Sequence, residues 1–212
     1  MKTLGVGIVL MVALFFCLPY HLYMKQLWKK NPEKSWEKAR RFVSGFFRFE
    51  LKLSGCKVNV IGKENIPQDG PVLFVGNHRS YFDILIYHEA IGKPLGFLAK
   101  KKRMEKIPLL PLYMRDIGCL FLDREDIKQG LSVIKQGTEY MKQGHSMVVF
   151  PEGTRNQTDT LLPFREGGYK MAEKSKSPIV PVSICRSDLM LESAPKKRIH
   201  SHSVTIEFGK PI

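Results

Sequence analysis

The chain has 212 residues and a formal net charge of +14, from 34 lysines and arginines against 20 aspartates and glutamates. That length suits one α/β domain with an appendage and is sufficient to bury a hydrophobic core. The positive charge favours an anionic partner, but the sequence contains no RNP-like, zinc-finger or helix-turn-helix pattern, so we expect an anionic membrane surface and no nucleic acid. The four cysteines are scattered without a CxxC pair, which indicates reduced thiols rather than a disulfide framework.

The N-terminal segment is apolar. From Thr3 to Met24 it carries no formally charged side chain, and this length is enough to span a bilayer. Lysines follow it closely whereas only Lys2 precedes it, so a spanning helix would leave the rest of the chain on the cytoplasmic side of the cell membrane. No small-x-small cleavage site follows the apolar run, and we therefore expect an anchor rather than a signal peptide. Pro19 and the polar edge at His21 leave open a helix that dips into one leaflet.

The next segment predicts an amphipathic helix, with Asn31 as its N-cap, Pro32 at its first position and Gly55 as its stop. Apolar side chains recur in it at helical spacing among lysines and arginines: Trp36, Ala39, Phe42, Val43, Phe46 and Phe47. Such a helix is typical of a membrane interface. A stripe packed on the core is the alternative, and one helix can do both. We assign residues 1–55 to a membrane-associated two-helix segment and residues 56–212 to a separate domain.

From Cys56 onward, short apolar runs alternate with helical stretches. This pattern predicts an α/β domain with a mixed, mostly parallel central sheet of about seven strands flanked by helices. The predicted strands are Lys57–Ile61, Val72–Val75, Gly96–Ala99, Gly118–Leu122, Ser146–Phe150, Ile179–Ile184 and Val204–Phe208. The clearest predicted helix runs from Asp126 to Lys142, and Gly144 ends it.

The first functional motif, NHRSYFD, runs from Asn77 to Asp83 and follows a predicted buried strand. In a strand-to-helix turn, His78 can reach Asp83, which would fix the imidazole tautomer and stabilise the imidazolium ion. No G-x-S-x-G elbow supplies a serine nucleophile, so the hydroxyl that His78 would activate as a general base belongs to the substrate. The spacing alone is a weak signal, and a loop histidine bonded to a nearby carboxylate is the alternative.

Two further motifs place cations near strand ends. The run KKKR at residues 100–103 follows one predicted strand, and Arg124 follows another. Lysine supplies a mobile point charge, whereas the arginine fork fits phosphate oxygens. A run of this kind also serves as a solvated face or a membrane contact, which is the alternative for at least part of it.

The third motif, FPEGTR, runs from Phe150 to Arg155 at the end of another predicted strand. Gly153 allows a substrate to approach the main chain, and Arg155 can bind phosphate. Because a carboxylate repels an anion, we expect Glu152 to organise the site by orienting a cation or a hydroxyl.

These motifs, followed by Val180-Pro181-Val182, resemble in content and order the 1-acyl-sn-glycerol-3-phosphate acyltransferase family of glycerolipid acyltransferases. The resemblance covers residues 72–182, roughly half the chain. It implies that His78 is the general base and that Asp83 orients it. It also implies a binding site for the phosphorylated glycerol, formed by Lys101, Arg124, Glu152, Gly153, Thr154 and Arg155. The Val180–Val182 motif would lie near the acyl donor or form a wall of the pocket.

The resemblance implies an acyltransferase of phospholipid biosynthesis, with residues 56–212 as its catalytic domain. The acyl group would pass from a thioester, either acyl-CoA or acyl carrier protein, to the 2-hydroxyl of 1-acyl-sn-glycerol 3-phosphate, giving phosphatidic acid. An acyltransferase with another acceptor, glycerol 3-phosphate or another lysolipid, is one alternative. A non-catalytic basic membrane-binding protein is the other, and the intact His78 and Asp83 pair argues against it.

The sequence departs from the family pattern at three places. Lys101-Lys102-Arg103-Met104 stands where Lys-x-Glu-Leu is common, so that Lys100 is a rival for the role given to Lys101. Pro111 replaces a usual glycine and Asn156 a frequent serine. These departures concern the choice of acceptor rather than the reaction class.

We expect neither an acyl-enzyme intermediate, a metal nor a cofactor beyond the thioester co-substrate. Cys119 and Cys185 lie in apolar strand patterns, where a thiol would be buried. His200 and His202 lack the companions that a zinc site requires.

Overall fold

The computed structural model describes residues 2–101, 107, 109–123, 125–158 and 160–212. Its sheet contains the strands β1 (Lys57–Ile61), β2 (Leu73–Gly76), β3 (Leu95–Lys100), β4 (Leu120–Leu122), β5 (Ser146–Val149), β6 (Ile179–Cys185) and β7 (Ser203–Phe208). They lie in the order β1-β7-β6-β2-β5-β3-β4. All neighbours are parallel except β6 and β7. The predicted mixed, mostly parallel sheet is confirmed. The main shift is at β4, which begins after Gly118 because that residue turns the chain with a φ of 75°.

The helices of the described residues are α1 (Lys2–Phe16), α2 (Leu18–Lys30), α3 (Pro32–Ser54), α4 (Phe82–Ile91), α5 (Leu110–Asp116), α6 (Ile127–Lys142) and α7 (Lys170–Ser175). Helix α3 begins where its cap predicts, since the Asn31 side chain accepts a hydrogen bond from the Lys34 amide at 2.9 Å. Asp126 caps α6 in the same way. Gly55 ends α3 in the left-handed conformation.

Helices cover both faces of the sheet. Phe74 of β2 and Val148 of β5 pack in one hydrophobic cluster with side chains of α2, α3 and α4. Their neighbours Leu73 and Met147 belong to a second cluster with α6 and α7. Since successive side chains of a strand point to opposite faces, the sheet lies between two helical layers. Strands buried on both sides explain the continuous apolar runs in the sequence.

The N-terminal region differs from the prediction. The apolar segment expected as one helix is two, α1 and α2, bent by 54° at Cys17, so three helices rather than two precede the sheet. Pro19 has no N–H to donate to the Phe15 carbonyl, which interrupts the helical pattern. The Leu14 carbonyl, near the bend, accepts a hydrogen bond from the Tyr113 hydroxyl at 2.6 Å.

Among the described helices, no single one combines the length and the apolar character needed to cross a bilayer. Helices α1 and α2 together meet both requirements as a bent pair.

The aromatic stripe of α3 faces two environments. Trp36 and Ala39 are buried, so the start of the stripe packs on the core. Phe42 is 40% exposed and stacks on Tyr20 of α2 with ring centroids 4.3 Å apart. Phe46 and its neighbours line an apolar groove against α1 and α5. The core interpretation is therefore confirmed for the start of the stripe, and the membrane-interface interpretation stays a prediction for the rest.

Candidate active site

The loop between β2 and α4 places His78 at the carboxyl edge of the sheet. Asn77 prolongs the pairing of β2 with β6, since its amide group both donates to the Ile184 carbonyl and accepts from the Ile184 amide, each at 2.8 Å. Gly76 precedes it where a Cβ would collide with the Tyr87 hydroxyl and the Val182 carbonyl. The backbone is thereby held in register up to His78.

The structure brings His78 and Asp83 together. The Nδ1 atom of His78 lies 2.7 Å from Oδ2 of Asp83, which is fully buried in the first turn of α4. The same oxygen accepts hydrogen bonds from the amides of Arg79 at 2.7 Å and Ser80 at 2.8 Å. A carboxylate held by two backbone donors cannot follow the ring if it rotates, so Asp83 orients the imidazole with Nδ1 as the donor. No hydrogen bond joins Nε2 to another residue in the described ranges, which leaves this atom as a proton acceptor.

The imidazole is also fixed by packing. Its ring stacks on Phe150 with centroids 4.2 Å apart and planes 11° from parallel. Phe150 in turn packs edge-on against Tyr87 and stacks on Phe97. The carbonyl of His78 accepts a hydrogen bond from the Asn156 amide at 2.8 Å. These contacts hold the ring in one orientation while its side chain stays 17% exposed, so a substrate can reach it.

Glu152 contacts its own loop. It is 6% exposed, and its Oε2 atom accepts from the Asn156 side-chain amide at 2.6 Å and from the Leu162 amide at 2.9 Å. Gly153 follows with a φ of 69°, a conformation that favours glycine. Asn156, the departure from the family pattern, also accepts from the Thr158 amide at 2.8 Å. The larger asparagine side chain therefore connects two parts of the loop.

Arg155 lies beside the histidine loop. Its guanidinium carbon is 3.5 Å from the centroid of the Tyr81 ring, and its Nη1 atom donates to Oε1 of Glu192. Its positive charge is therefore already paired, which the sequence did not indicate. Arg155 lines a cleft of about 450 Å³ together with Tyr81, Thr154, Gln157, Leu191, Glu192 and Lys197.

The remaining predicted phosphate-binding residues are only partly described. Lys101 is exposed and directly follows β3, which only β5 separates from β2. Since parallel strands end at the same edge, Lys101 lies at the edge that carries His78. Arg124 and residues 102–103 of the basic run fall outside the described residues.

Two carboxylates that sequence reasoning missed lie after β6. Glu192 accepts hydrogen bonds from the Ser80 hydroxyl at 2.7 Å and the Tyr81 amide at 3.0 Å. Asp188 accepts from Nε of Arg79 at 3.1 Å. Burial raises the pKa of Asp188, but hydrogen bonds from Arg79 and Ser193 lower it by more. The pKa of Asp188 is therefore below its ordinary value. The sequence signal that could have found Asp188 and Glu192 was their position just after β6, which ends at the same edge of the sheet as β2.

The cysteine expectation holds for one residue and is wrong for the other. Cys119 is buried, and burial raises the pKa of its thiol to about 12, so it is not a nucleophile at neutral pH. Cys185 is exposed, because it is the last residue of β6 and points away from the core on an alternating strand. In the described part of the chain, no three histidine, cysteine or acidic residues form a group suited to a metal ion.

Comparison with known proteins supplies the family. A family model described as Acyltransferase matches residues 57–185. A probable 1-acyl-sn-glycerol-3-phosphate acyltransferase from Mycoplasma pneumoniae is 36% identical over 186 residues, which are 85% of this chain and 66% of that protein. The 1-acyl-sn-glycerol-3-phosphate acyltransferase of Helicobacter pylori is 32% identical over 191 residues, 86% of this chain and 76% of that protein. The chain belongs to the acyltransferase family.

A solved structure shares the fold. The crystal structure of the 1-acyl-sn-glycerophosphate (LPA) acyltransferase PlsC from Thermotoga maritima matches with a TM-score of 0.78 and 24% identity, over 100% of this chain and 84% of that one. The chain spans between 54% and 66% of the length of three curated relatives that it matches.

Proposed function

We propose that this acyltransferase moves a fatty acyl group from a thioester to the 2-hydroxyl of 1-acyl-sn-glycerol 3-phosphate, giving phosphatidic acid. The observation that carries the proposal is the His78 imidazole, which Asp83 holds at 2.7 Å with Nε2 directed away from the carboxylate. The names of the relatives support the choice of acceptor. The donor is acyl-CoA or acyl carrier protein, and the protein needs no cofactor of its own.

In this mechanism Nε2 of His78 takes the proton of the acceptor hydroxyl. At the same time the hydroxyl oxygen attacks the thioester carbonyl. A carbon–oxygen ester bond forms, the carbon–sulfur bond breaks, and the departing thiolate takes the proton back from the imidazolium ion. Asp83 stabilises the imidazolium between these two transfers. General base catalysis of this kind contributes about 10²–10⁴ in rate.

The acceptor phosphate would bind at the cationic side of the site. Arg155 uses Nη1 for Glu192, and a guanidinium has five N–H donors, so others remain for phosphate oxygens. Thr154 lines the same cleft, and Lys101 and Arg124 follow strands that end at this edge. This arrangement would favour a phosphorylated acceptor over a neutral one.

The acceptor is a lipid, which requires the site to work at a membrane. Helices α1 and α2 expose apolar side chains that would insert at the interface, among them Leu4, Phe15, Phe16 and Leu22. The lysines of α2 and α3 would add attraction to anionic lipid, with the catalytic domain on the cytoplasmic side.

An acceptor panel tests the proposal. Purified protein in detergent micelles would receive acyl-CoA or acyl carrier protein, together with lysophosphatidic acid, glycerol 3-phosphate, another lysolipid or monoacylglycerol. We expect thiol release and phosphatidic acid formation with lysophosphatidic acid, and none with His78→Ala. Faster turnover of another acceptor would reassign the substrate. Binding to anionic vesicles without thiol release from any pair would favour a non-catalytic protein.

A further inference from the structure

The carboxylate of Glu192 joins two loops that are distant in sequence. Its Oε2 atom accepts from the Ser80 hydroxyl at 2.7 Å, and its Oε1 atom accepts from the Tyr81 amide at 3.0 Å. Oε1 also accepts from Nη1 of Arg155. Ser80 and Tyr81 belong to the loop that carries His78, whereas Arg155 belongs to the loop after β5. One side chain therefore contacts both the loop of the proposed base and the proposed phosphate ligand.

The surroundings make this contact rigid. The side chains of Glu192 and Arg155 are only 12% and 13% exposed, so that solvent weakens their ion pair little. Ser80 is fully buried, and its hydroxyl also accepts from the Phe82 amide at 3.2 Å. The guanidinium of Arg155 stacks on Tyr81, which gives the two loops a second contact.

The segment that carries Glu192 is itself anchored. Asp188 accepts hydrogen bonds from Arg79 at 3.1 Å and from the Ser193 hydroxyl at 2.7 Å. The Met190 carbonyl accepts from the His200 amide at 3.0 Å. The segment of Glu192 is therefore held to the His78 loop through Arg79 and, outside both loops, to the chain at His200.

We infer that Glu192 is a positioning residue, which fixes the distance between the base His78 and the phosphate ligand Arg155. This inference rests on the proposed function. The acceptor carries its reacting hydroxyl and its phosphate on neighbouring carbons, so both must meet their protein partners at once. A displacement of about 1 Å between base and phosphate site can cost 10²-fold in rate. Glu192 acts through the two loops and does not touch the reacting atoms.

A double-mutant cycle tests this role. Kinetics with lysophosphatidic acid would be measured for Glu192→Ala, Arg155→Ala, the double variant and the unsubstituted enzyme. We expect Glu192→Ala alone to lower kcat by about 10- to 100-fold, with a change in acceptor KM of about threefold or less. Once Arg155 is gone, its distance from His78 no longer matters, so Glu192→Ala should then cost about threefold or less.

Equal losses on both backgrounds would overturn the inference, because a residue that only stiffens the His78 loop costs the same with or without Arg155. A change in the acceptor KM of Glu192→Ala without a change in kcat would also overturn the inference. Glu139→Ala is the control, since Glu139 pairs with Lys142 on the surface of α6 at 3.1 Å and should leave kcat unchanged. An inactive unsubstituted enzyme would refute the proposed function instead.

Folding is checked by thermal unfolding of every variant. If Glu192→Ala lacks a cooperative transition, Glu192→Asp takes its place in the cycle. It keeps the negative charge, but it is one methylene shorter and cannot hold both loops at once. We expect a loss in kcat of about 10-fold on the unsubstituted background and about threefold or less beside Arg155→Ala. Full activity of Glu192→Asp on the unsubstituted background would contradict the inference.

Discussion

Buried carboxylates at the edge of the sheet and in the N-terminal helices have opposite environments. Asp83 is fully buried, and its Oδ2 atom accepts three hydrogen bonds. Glu50 of α3 is 3% exposed, yet neither of its oxygens has a hydrogen-bond partner among the described residues. Burial raises the pKa of Glu50 to about 7. The two carboxylates are therefore buried to a similar extent and differ in the hydrogen-bond donors that surround them.

The largest expected effect concerns Asp83. Asp83→Asn keeps the size of the side chain but removes the acceptor that selects the Nδ1–H tautomer of His78. We expect kcat to fall by about 10²–10⁴, a range similar to that for His78→Ala. The measurement is thioester consumption with lysophosphatidic acid, with thermal unfolding as the folding control. Near-normal kcat in folded Asp83→Asn would remove the mechanism proposed here.

Arg155→Ala should have the next largest effect. Loss of one charge-assisted contact to the acceptor phosphate costs about 1.5–3 kcal/mol. We expect the acceptor KM to rise accordingly, whereas the donor KM should change little. Steady-state kinetics with each substrate varied in turn would measure both. A rise confined to the donor KM would assign Arg155 to the phosphates of the donor instead.

Glu50 provides a test by pH. Because its folded-state pKa of about 7 exceeds the ordinary value of 4.5, its contribution to stability is complete below pH 4.5 and is lost as the pH rises through 7. Glu50→Gln should therefore raise the free energy of unfolding at pH 8 by about 3 kcal/mol and change it little at pH 4.5. Urea unfolding at both pH values measures this difference. Glu139→Gln, on the surface of α6, is the control. If Glu50→Gln changed the free energy of unfolding equally at the two pH values, the raised pKa of Glu50 would be contradicted.

The smallest expected effect concerns membrane binding. Phe15 and Phe16 are 67% and 73% exposed, so replacing both with serine should leave the core intact. We expect binding to vesicles that contain anionic lipid to weaken by about 10-fold, because less apolar surface enters the interface. Co-sedimentation measures the partition. The matched control replaces Ile127 and Leu131, which are 79% and 63% exposed on α6. Equal weakening in both pairs would show that α1 has no special part in binding.

Local sequence predicted the strands, several helix ends and the pairing of His78 with Asp83. The apolar runs predicted all seven strands. Strands buried on both faces, such as β2 and β5, need apolar side chains throughout, whereas buried and more exposed positions alternate in β6 and β7. Asn31, Asp126 and Gly55 marked helix ends because capping depends on neighbouring residues. His78 and Asp83 are five residues apart, so one turn was sufficient to join them.

Tertiary structure alone decided which distant groups complete the site. Glu192 lies 112 residues from Ser80 and 37 from Arg155, and it meets both only because β6 pairs with β2 and β5 pairs with β2 on the other side. No local pattern encodes that order of strands. The exposure of Cys185 likewise follows from where β6 ends. Local propensity depends on neighbours in sequence, whereas strand order depends on which packing of the whole chain buries the most apolar surface.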